Sequence, residues 1–471
     1  MRQACPGFYP LATHAGNTLL LWEEKTCDLC MAFFVNREKA IENTMQLRKV
    51  MSREAGMDTQ YQMHTFANGI RFIHKYLPFS QVSHIGYVLD IGSRDEAPHQ
   101  QGLAHFWEHM AFKGTRRRRA YHILNRLEAV GGELNAYTTK EKICFYASVL
   151  NDYYLQAVDL LTDITFDSVF PEKQIEREKG VILEEIAMYK DSPEEAIQDE
   201  FDALVFGDHP LGYNILGTEE SVRSFSRHDF REFIDTHLST DRIVIASVSG
   251  LPFEKVLPKV ERLIEGIAPR YQPKRRLPFS GQLYCPRQEE KHLPISQAHC
   301  ALGRPAYSMH HPDRLSFFLL NNLLGGPAMS SRLNMLLRER YGYVYGIESS
   351  YTPLSDTGLW GIFFAIDAKH LSKAEKLILQ EMQRLCEQPL GVRQLKQAKN
   401  QLKGQLAMAE ENNLNFMLMM GKTILDYGYI DPLPKLFEEI DAITAGQLQA
   451  VAQQIFQPQS LSFLRYIPQQ A

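Results

Sequence analysis

Three polar side chains stand inside an otherwise apolar run. In Gly102-Leu-Ala-His-Phe-Trp-Glu-His-Met-Ala-Phe-Lys-Gly-Thr115, every residue from Leu103 to Phe112 is apolar except His105, Glu108 and His109. Read as a helix at about 100° per residue, the run puts His109 about 40° from His105 and Glu108 about 60° to the other side. The only polar groups therefore share one narrow face. A helix apolar nearly all round is a buried helix. Burying two imidazoles and a carboxylate without partners is costly. A divalent metal that takes two imidazole nitrogens meets that cost, and zinc suits such a set.

A catalytic zinc needs three protein ligands and one open position. The helix expected at Glu172–Lys190 offers Glu172, Glu176, Glu178, Glu184 and Glu185. Its apolar residues Ile175, Val181, Ile182, Ile186 and Met188 define one arc. With Ile182 at the centre, Glu178 falls at about −40° and Glu185 at about −60°, inside the arc, while Glu184 falls at about −160° and faces solvent. Glu185 is the expected third ligand. Glu178 is the expected support for a ligand imidazole. Glu108, beside the metal face, fits a general base that takes a proton from water and passes it to a leaving amine. The competing reading is a buried ion-pair cluster with no metal.

The remaining composition is that of an ordinary globular protein. The chain has 471 residues, 44% hydrophobic and 23% charged, with a net charge of −5. This balance argues against nucleic acid as a partner. Arg116–Arg119 is the one basic block and reads as a solvated loop. Seven cysteines without a framework suit a reducing compartment. Cys27 and Cys30 form a lone pair with no second pair to complete a site. No apolar run is long enough to span a membrane, and no signal peptide opens the chain, so a cytoplasmic protein without a membrane partner is expected. Residues 1–60 show no clear period and read as a poorly packed extension or a start-site artefact, with Met45, Met51 or Met57 as alternative starts.

From His64 the pattern becomes regular. Strands are expected at His64–Leu77, Val82–Ile91, Glu133–Tyr137, Ile143–Leu150 and Arg242–Ser249. Helices are expected at Leu103–Phe112, Tyr121–Val130, Tyr154–Phe166, Glu172–Lys190, Glu194–Phe206, Arg231–His237 and Phe253–Ile267. Residues 268–291 are rich in Pro, Arg and Gln and read as a linker between a first domain, 61–267, and a second, 292–471. The second domain shows strands at Ile295–Leu302, Tyr343–Tyr351, Gly358–Ile366 and Ser460–Tyr466. Its helices begin at Arg314, Arg332, Leu371, Gly391, Asn413, Leu433 and Ala445. Glu185-Ile-Ala-Met-Tyr-Lys-Asp-Ser and Gln405-Leu-Ala-Met-Ala-Glu-Glu-Asn mark a degenerate repeat. The second copy has Gln405 for Glu185, Ala398 for Glu178, and no His near Arg314–Leu324. The fold class is α+β, with two like domains enclosing a cavity and metal chemistry in the first alone.

His105-Phe-Trp-Glu108-His109 is an inverted zinc motif, H-x-x-E-H. Several further motifs follow in order: Gly131-Gly-Glu-Leu-Asn-Ala-Tyr-Thr138, Val181-Ile-Leu-Glu-Glu-Ile186, Pro210-Leu-Gly212, Leu216-Gly-Thr-Glu219 and Ser330-Ser-Arg-Leu333. Together they resemble the M16 (pitrilysin-like) metallopeptidases, most closely the branch that includes mitochondrial processing peptidase. The resemblance covers about residues 60–470. It implies two M16-type domains, each an antiparallel sheet covered by helices. It implies one zinc per chain on His105, His109 and Glu185, with Glu108 as base and Glu178 in support. Asn135 and Ala136 would lie along the substrate backbone, on a strand edge suited to peptide addition. The other reading of Asn135 is a turn residue after a glycine pair. Arg338 and Tyr345, seven apart, would reach the substrate carbonyl, with Arg340 and Tyr343 as alternatives. Cys144 stands where the family tends to have Thr and reads as a small buried side chain, not a nucleophile.

The function this implies is zinc-dependent endopeptidase action on extended or unfolded peptides inside an enclosed chamber. The alternative is a non-catalytic structural subunit of a larger complex. Because one chain carries both the zinc motif and the Arg/Tyr pair, a homodimer of self-sufficient subunits is expected.

Overall fold

A computed structural model describes residues 61–469. The expected extension at 1–60, with Cys27 and Cys30, lies outside the described residues.

Two mixed sheets organise the chain. The first contains β1 (Gln62–Thr65), β2 (Arg71–Tyr76), β3 (Val82–Leu89), β4 (Glu133–Thr138), β5 (Ile143–Leu150) and β6 (Ile243–Ser249), in the order β1-β2-β6-β3-β5-β4. The second contains β7 (Gln288–Leu293), β8 (Ala298–Ala306), β9 (Ile347–Pro353), β10 (Gly358–Ile366) and β11 (Ser462–Pro468), in the order β7-β11-β8-β10-β9. Neighbours run antiparallel except β2–β6 and β7–β11, which are parallel. Counted from β2, the first sheet has the order and strand senses of the second. The repeat seen in the sequence is thus a repeat of topology. The first sheet adds β1 because the segment expected as one strand, 64–77, is a hairpin. It turns at Asn68-Gly69, where Gly69 has φ 89° and Asn68 Oδ1 accepts from the Ile70 N–H at 3.2 Å.

Helices flank both sheets. They are α1 (Leu103–Ala111), α2 (Ala120–Glu128), α3 (Tyr154–Phe166), α4 (Glu172–Asp191), α5 (Pro193–Phe206), α6 (Glu219–Ser224), α7 (Arg227–His237) and α8 (Phe253–Ile264) in the first half. The second half has α9 (Arg314–Gly325), α10 (Leu371–Glu387), α11 (Val392–Glu411), α12 (Asn413–Tyr427), α13 (Leu433–Ala442) and α14 (Ala445–Ile455). Most boundaries fall within a few residues of expectation. Three differ more. The short helix α6 was not expected. β9 starts at Ile347 rather than Tyr343, after a π-type turn at Asn334–Arg340. The stretch expected as a linker ends in a strand, β7, that pairs with β11. Among the described residues no helix is long and apolar enough to cross a membrane.

The two halves exchange a helix. α5 leaves the first half and packs on β8, β10 and β11, burying Phe201, Leu204 and Val205 against Ala301, Leu464 and Tyr466. α12 leaves the second half and packs on β3 and β6, burying Phe416, Met417, Met420 and Ile424 against Ile73, Val244, Ala246 and Val248. Each large apolar side chain so buried stabilises by about 1.5–3 kcal/mol. The approach is close enough that a Cβ on Gly421 would stand 2.5 Å from a Val88 methyl. The halves therefore form one interlocked body rather than two shells meeting across a gap.

An ionic lock joins the same halves. The Arg94 guanidinium, 2% exposed, donates to Glu141 at 2.7 Å and to both oxygens of Asp356 at 2.7 and 2.6 Å. Glu141 in turn accepts from the Ser355 amide and hydroxyl. Arg276 adds pairs to Asp90 and Asp95. Removing one member of such a cluster leaves a buried charge uncompensated. Arg94→Leu is expected to lower unfolding free energy by about 3–5 kcal/mol, read as a shift of the urea midpoint. A shift under about 0.5 kcal/mol, the size of an ordinary surface change, would show that the cluster is not a lock. The Arg116–Arg119 run is likewise more engaged than a solvated loop, because Arg117 and Arg118 both pair with Asp159 and the fully buried Asp163 of α3.

Candidate active site

The metal-type helix α1 is set by its first turn. Gly102 takes φ 92°, and the buried Glu96 carboxylate accepts N–H groups from Gly102 at 2.9 Å and Ala104 at 2.8 Å. Behind the turn, two backbones touch. A Cβ on Gly102 would stand 2.5 Å from the Leu216 carbonyl, and one on Gly217 would stand 2.3 Å from the Gln101 carbonyl. The Leu216-Gly-Thr-Glu219 motif is thus the seat of α1. Leu103, Phe106, Trp107 and Met110 are fully buried. That packing turns the polar face of α1 toward α4.

On that face three side chains converge. One ligand atom each from His105, His109 and Glu185 lies within 4.8 Å of the other two. His105 Nε2 is 3.8 Å from Glu185 Oε1, and His109 Nε2 is 3.6 Å from Glu185 Oε2. Ligand atoms about 2.0–2.2 Å from a tetrahedral centre stand roughly 3.4 Å apart. The donors are two nitrogens and a carboxylate oxygen, so the set fits a zinc ion.

The surroundings prepare these donors. Burial, with His109 adding to it, pushes the His105 pKa down to about 3 and keeps its imidazole neutral. Burial also raises the Glu185 carboxyl, which His109 partly opposes. Glu178, buried on α4, takes His109 Nδ1 at 3.2 Å and Lys113 Nζ at 2.8 Å through separate oxygens. Burial pushes Glu178 upward, but hydrogen bonds from His109 and Lys113 outweigh it and hold its carboxyl below the usual range. Among the described residues, His105 Nδ1 is buried without a hydrogen-bond partner.

Known proteins resemble this chain over most of its length. Residues 71–219 match the insulinase family (peptidase family M16), and residues 224–402 match the peptidase M16 inactive domain. An uncharacterized zinc protease of Bacillus subtilis is 32% identical over 394 residues, 83% of this chain and 95% of the relative. The chain belongs to the M16 peptidase family. An uncharacterized zinc protease of Streptomyces coelicolor is 31% identical, covering 88% of this chain and 91% of the relative. Two solved structures share the fold at 18% identity. One is a protease from Helicobacter pylori (TM-score 0.81) and the other a peptidase M16 inactive domain from Pseudomonas fluorescens (TM-score 0.80), each covering 87% of this chain and 99% of the other.

The other M16-type positions are distributed as follows. Glu108 lies beside the cluster, its Oε2 accepting from the Thr138 hydroxyl at 2.6 Å. Burial raises its carboxyl, against the Thr138 hydrogen bond. Asn135 and Ala136 sit on β4, which is an edge strand; Asn135 is exposed and Ala136 packs toward the first core. Arg338 and Tyr345 lie together, the guanidinium 5.4 Å from the Tyr345 ring centre, and Arg338 pairs with Glu339. Among the described residues, neither makes a hydrogen bond, ion pair or ring contact with His105, Glu108, His109 or Glu185. Tyr345 is 91% exposed. Cys144 is fully buried on β5, its thiol pushed up to about 12 by burial.

Three features of the site were not expected from the sequence. Lys113 was legible one helical turn after His109. Thr138 could be found only once β4 was placed beside α1. The third is a cavity of about 440 Å³ lined by Ile186, Tyr189, Lys190, Asp199, Glu200, Glu219 and Glu220, among others, with Lys190 paired to Glu219 and Lys291 to Glu200. It opens one turn along α4 from Glu185, and its acidic wall comes from α5 and the unexpected α6.

Proposed function

We propose that the protein is a zinc-dependent metalloendopeptidase that hydrolyses extended or unfolded peptides. The observation that carries this reading is the convergence of His105, His109 and Glu185, with the Glu108 carboxylate alongside. One zinc per chain, held by those three, would polarise the peptide carbonyl and make a water nucleophilic near neutral pH. Glu108 would take the proton of that water and return it to the leaving amine. Glu178 would hold the His109 ring so that Nε2 faces the ion. The open edge of β4 at Asn135 and Ala136 would take the peptide as an added strand, which requires an extended chain. Arg338 and Tyr345 would donate hydrogen bonds to the developing oxyanion. The exposure of Tyr345, with no hydrogen bond, ion pair or ring contact to the cluster among the described residues, suits delivery from a second copy, in a homodimer that closes a chamber over the substrate, rather than the self-sufficient subunits expected from the sequence. The acidic cavity beyond Glu185 suits a basic side chain near the scissile bond.

Purified protein should contain about one zinc per chain, as the three-ligand set implies, and should cut an unstructured peptide library with basic residues enriched near the cuts. His109→Ala should lose both zinc and cleavage. A wild-type chain that binds no zinc and cuts no peptide overturns the reading in favour of a non-catalytic subunit.

A further inference from the structure

Glu108 is the one polar residue of α1 whose partner does not come from α4. Among the described residues its only hydrogen bond is the one from Thr138 Oγ1 to Oε2, at 2.6 Å. That length is typical of a hydroxyl bonded to a charged carboxylate. Oε1 accepts no hydrogen bond. The arrangement is directional: one oxygen is held and the other is free.

Thr138 is itself firmly placed. It is the last residue of β4 and stands opposite Ile143. The turn that follows closes by Thr139 N–H to the Lys142 carbonyl at 2.8 Å and by Lys142 N–H to the Thr139 hydroxyl at 3.0 Å. Ser93 and Arg94 donate their amides to the carbonyls of Thr139 and Lys140. Glu141, in the same turn, is bound to Arg94 and Ser355. The Thr138 hydroxyl therefore projects from a strand end tied both to the segment that caps α1 and to the second half.

We infer that Thr138 is a positioning residue for peptide hydrolysis, its hydroxyl clamping Glu108 Oε2 so that Oε1 faces the water and the leaving nitrogen. The inference rests on the peptidase reading above. In the step it serves, the water O–H bond breaks as oxygen attacks the carbonyl carbon. The proton goes to Glu108 Oε1 and then to the amine nitrogen as the peptide C–N bond breaks. Thr138 neither gains nor loses a proton overall. A substrate strand added to β4 would lie beside the residue that aims the base, so the same strand end would register the peptide and orient Glu108.

The test uses the full chain with Thr138→Val, which keeps shape and strand preference but removes the donor, and Thr138→Ser, which keeps the donor. Expected for the valine variant is a fall in kcat of roughly 10- to 100-fold, with KM and zinc content unchanged. The serine variant should recover most of the loss. A purely structural Thr138 would show the reverse pattern, with both variants alike or with KM and zinc affected. Any of these results overturns the assignment, as does a valine variant within about twofold of wild type, too small for a misaimed base. An active wild type with an equally active valine variant overturns the role of Thr138 alone. A wild type that cuts nothing overturns the peptidase reading and the role with it.

Discussion

Glu108→Gln is expected to lower kcat by about 10²- to 10⁴-fold, the range typical of losing a positioned base, while zinc remains bound. The substitution is nearly isosteric. The amide can still accept from Thr138 through its oxygen, but it cannot take a proton. Glu108 is not among the three residues whose ligand atoms converge, so the ion should not notice the change. Glu185→Gln should behave oppositely. It removes a charged donor standing 3.6–3.8 Å from both imidazoles, and activity should disappear because zinc does. Zinc analysis of each purified variant beside its kcat separates the two cases. Zinc loss in Glu108→Gln would make Glu108 part of the metal site rather than the base.

The two variants also show what was legible beforehand. The polar face of α1 was readable because only three polar residues interrupt its apolar run, and helical angles put them together. Glu178 and Glu185 were readable from α4 for a partly mistaken reason. The apolar arc of α4 includes Val181 and Met188, yet they are 50% and 59% exposed. The buried stripe is the narrower set Ile175, Glu178, Ile182 and Ile186. That stripe leaves Glu185 at its margin, half-buried, where a carboxylate can meet both imidazoles and still face the open side of the site. The repeat was legible from Glu185–Met188 and Gln405–Met408, but the helix exchange was not. The apolar face of α12 reads the same whether it covers its own sheet or the other, since periodicity records that a face is buried and not by what. Thr138 and the acidic cavity depend on elements distant in sequence, and α6, at six residues, is too short to carry a period.

The placement of Arg338 and Tyr345 supports the second large prediction. If both act on the substrate of their own chain, a chain lacking either part of the site is inactive in any company. If they act across a homodimer, two inactive chains should rescue each other. Chains carrying His109→Ala and chains carrying Arg338→Ala are each expected to be inactive alone. Combined in equal amounts and allowed to exchange, they should recover about a quarter of wild-type activity, because half the dimers are mixed and each mixed dimer holds one complete site. The surroundings of the pair favour the second outcome. Tyr345 is almost wholly exposed, and among the described residues the Arg338 side chain pairs only with Glu339 and the Tyr345 ring, with no hydrogen bond, ion pair or ring contact from either to the cluster around Glu185. A guanidinium and a phenol left at the surface stabilise an oxyanion poorly, since water screens them; closed against a second copy they would act in a drier site where each hydrogen bond counts for more. No recovery on mixing, with exchange verified by the masses of the dimers, would place the pair with its own chain's metal site.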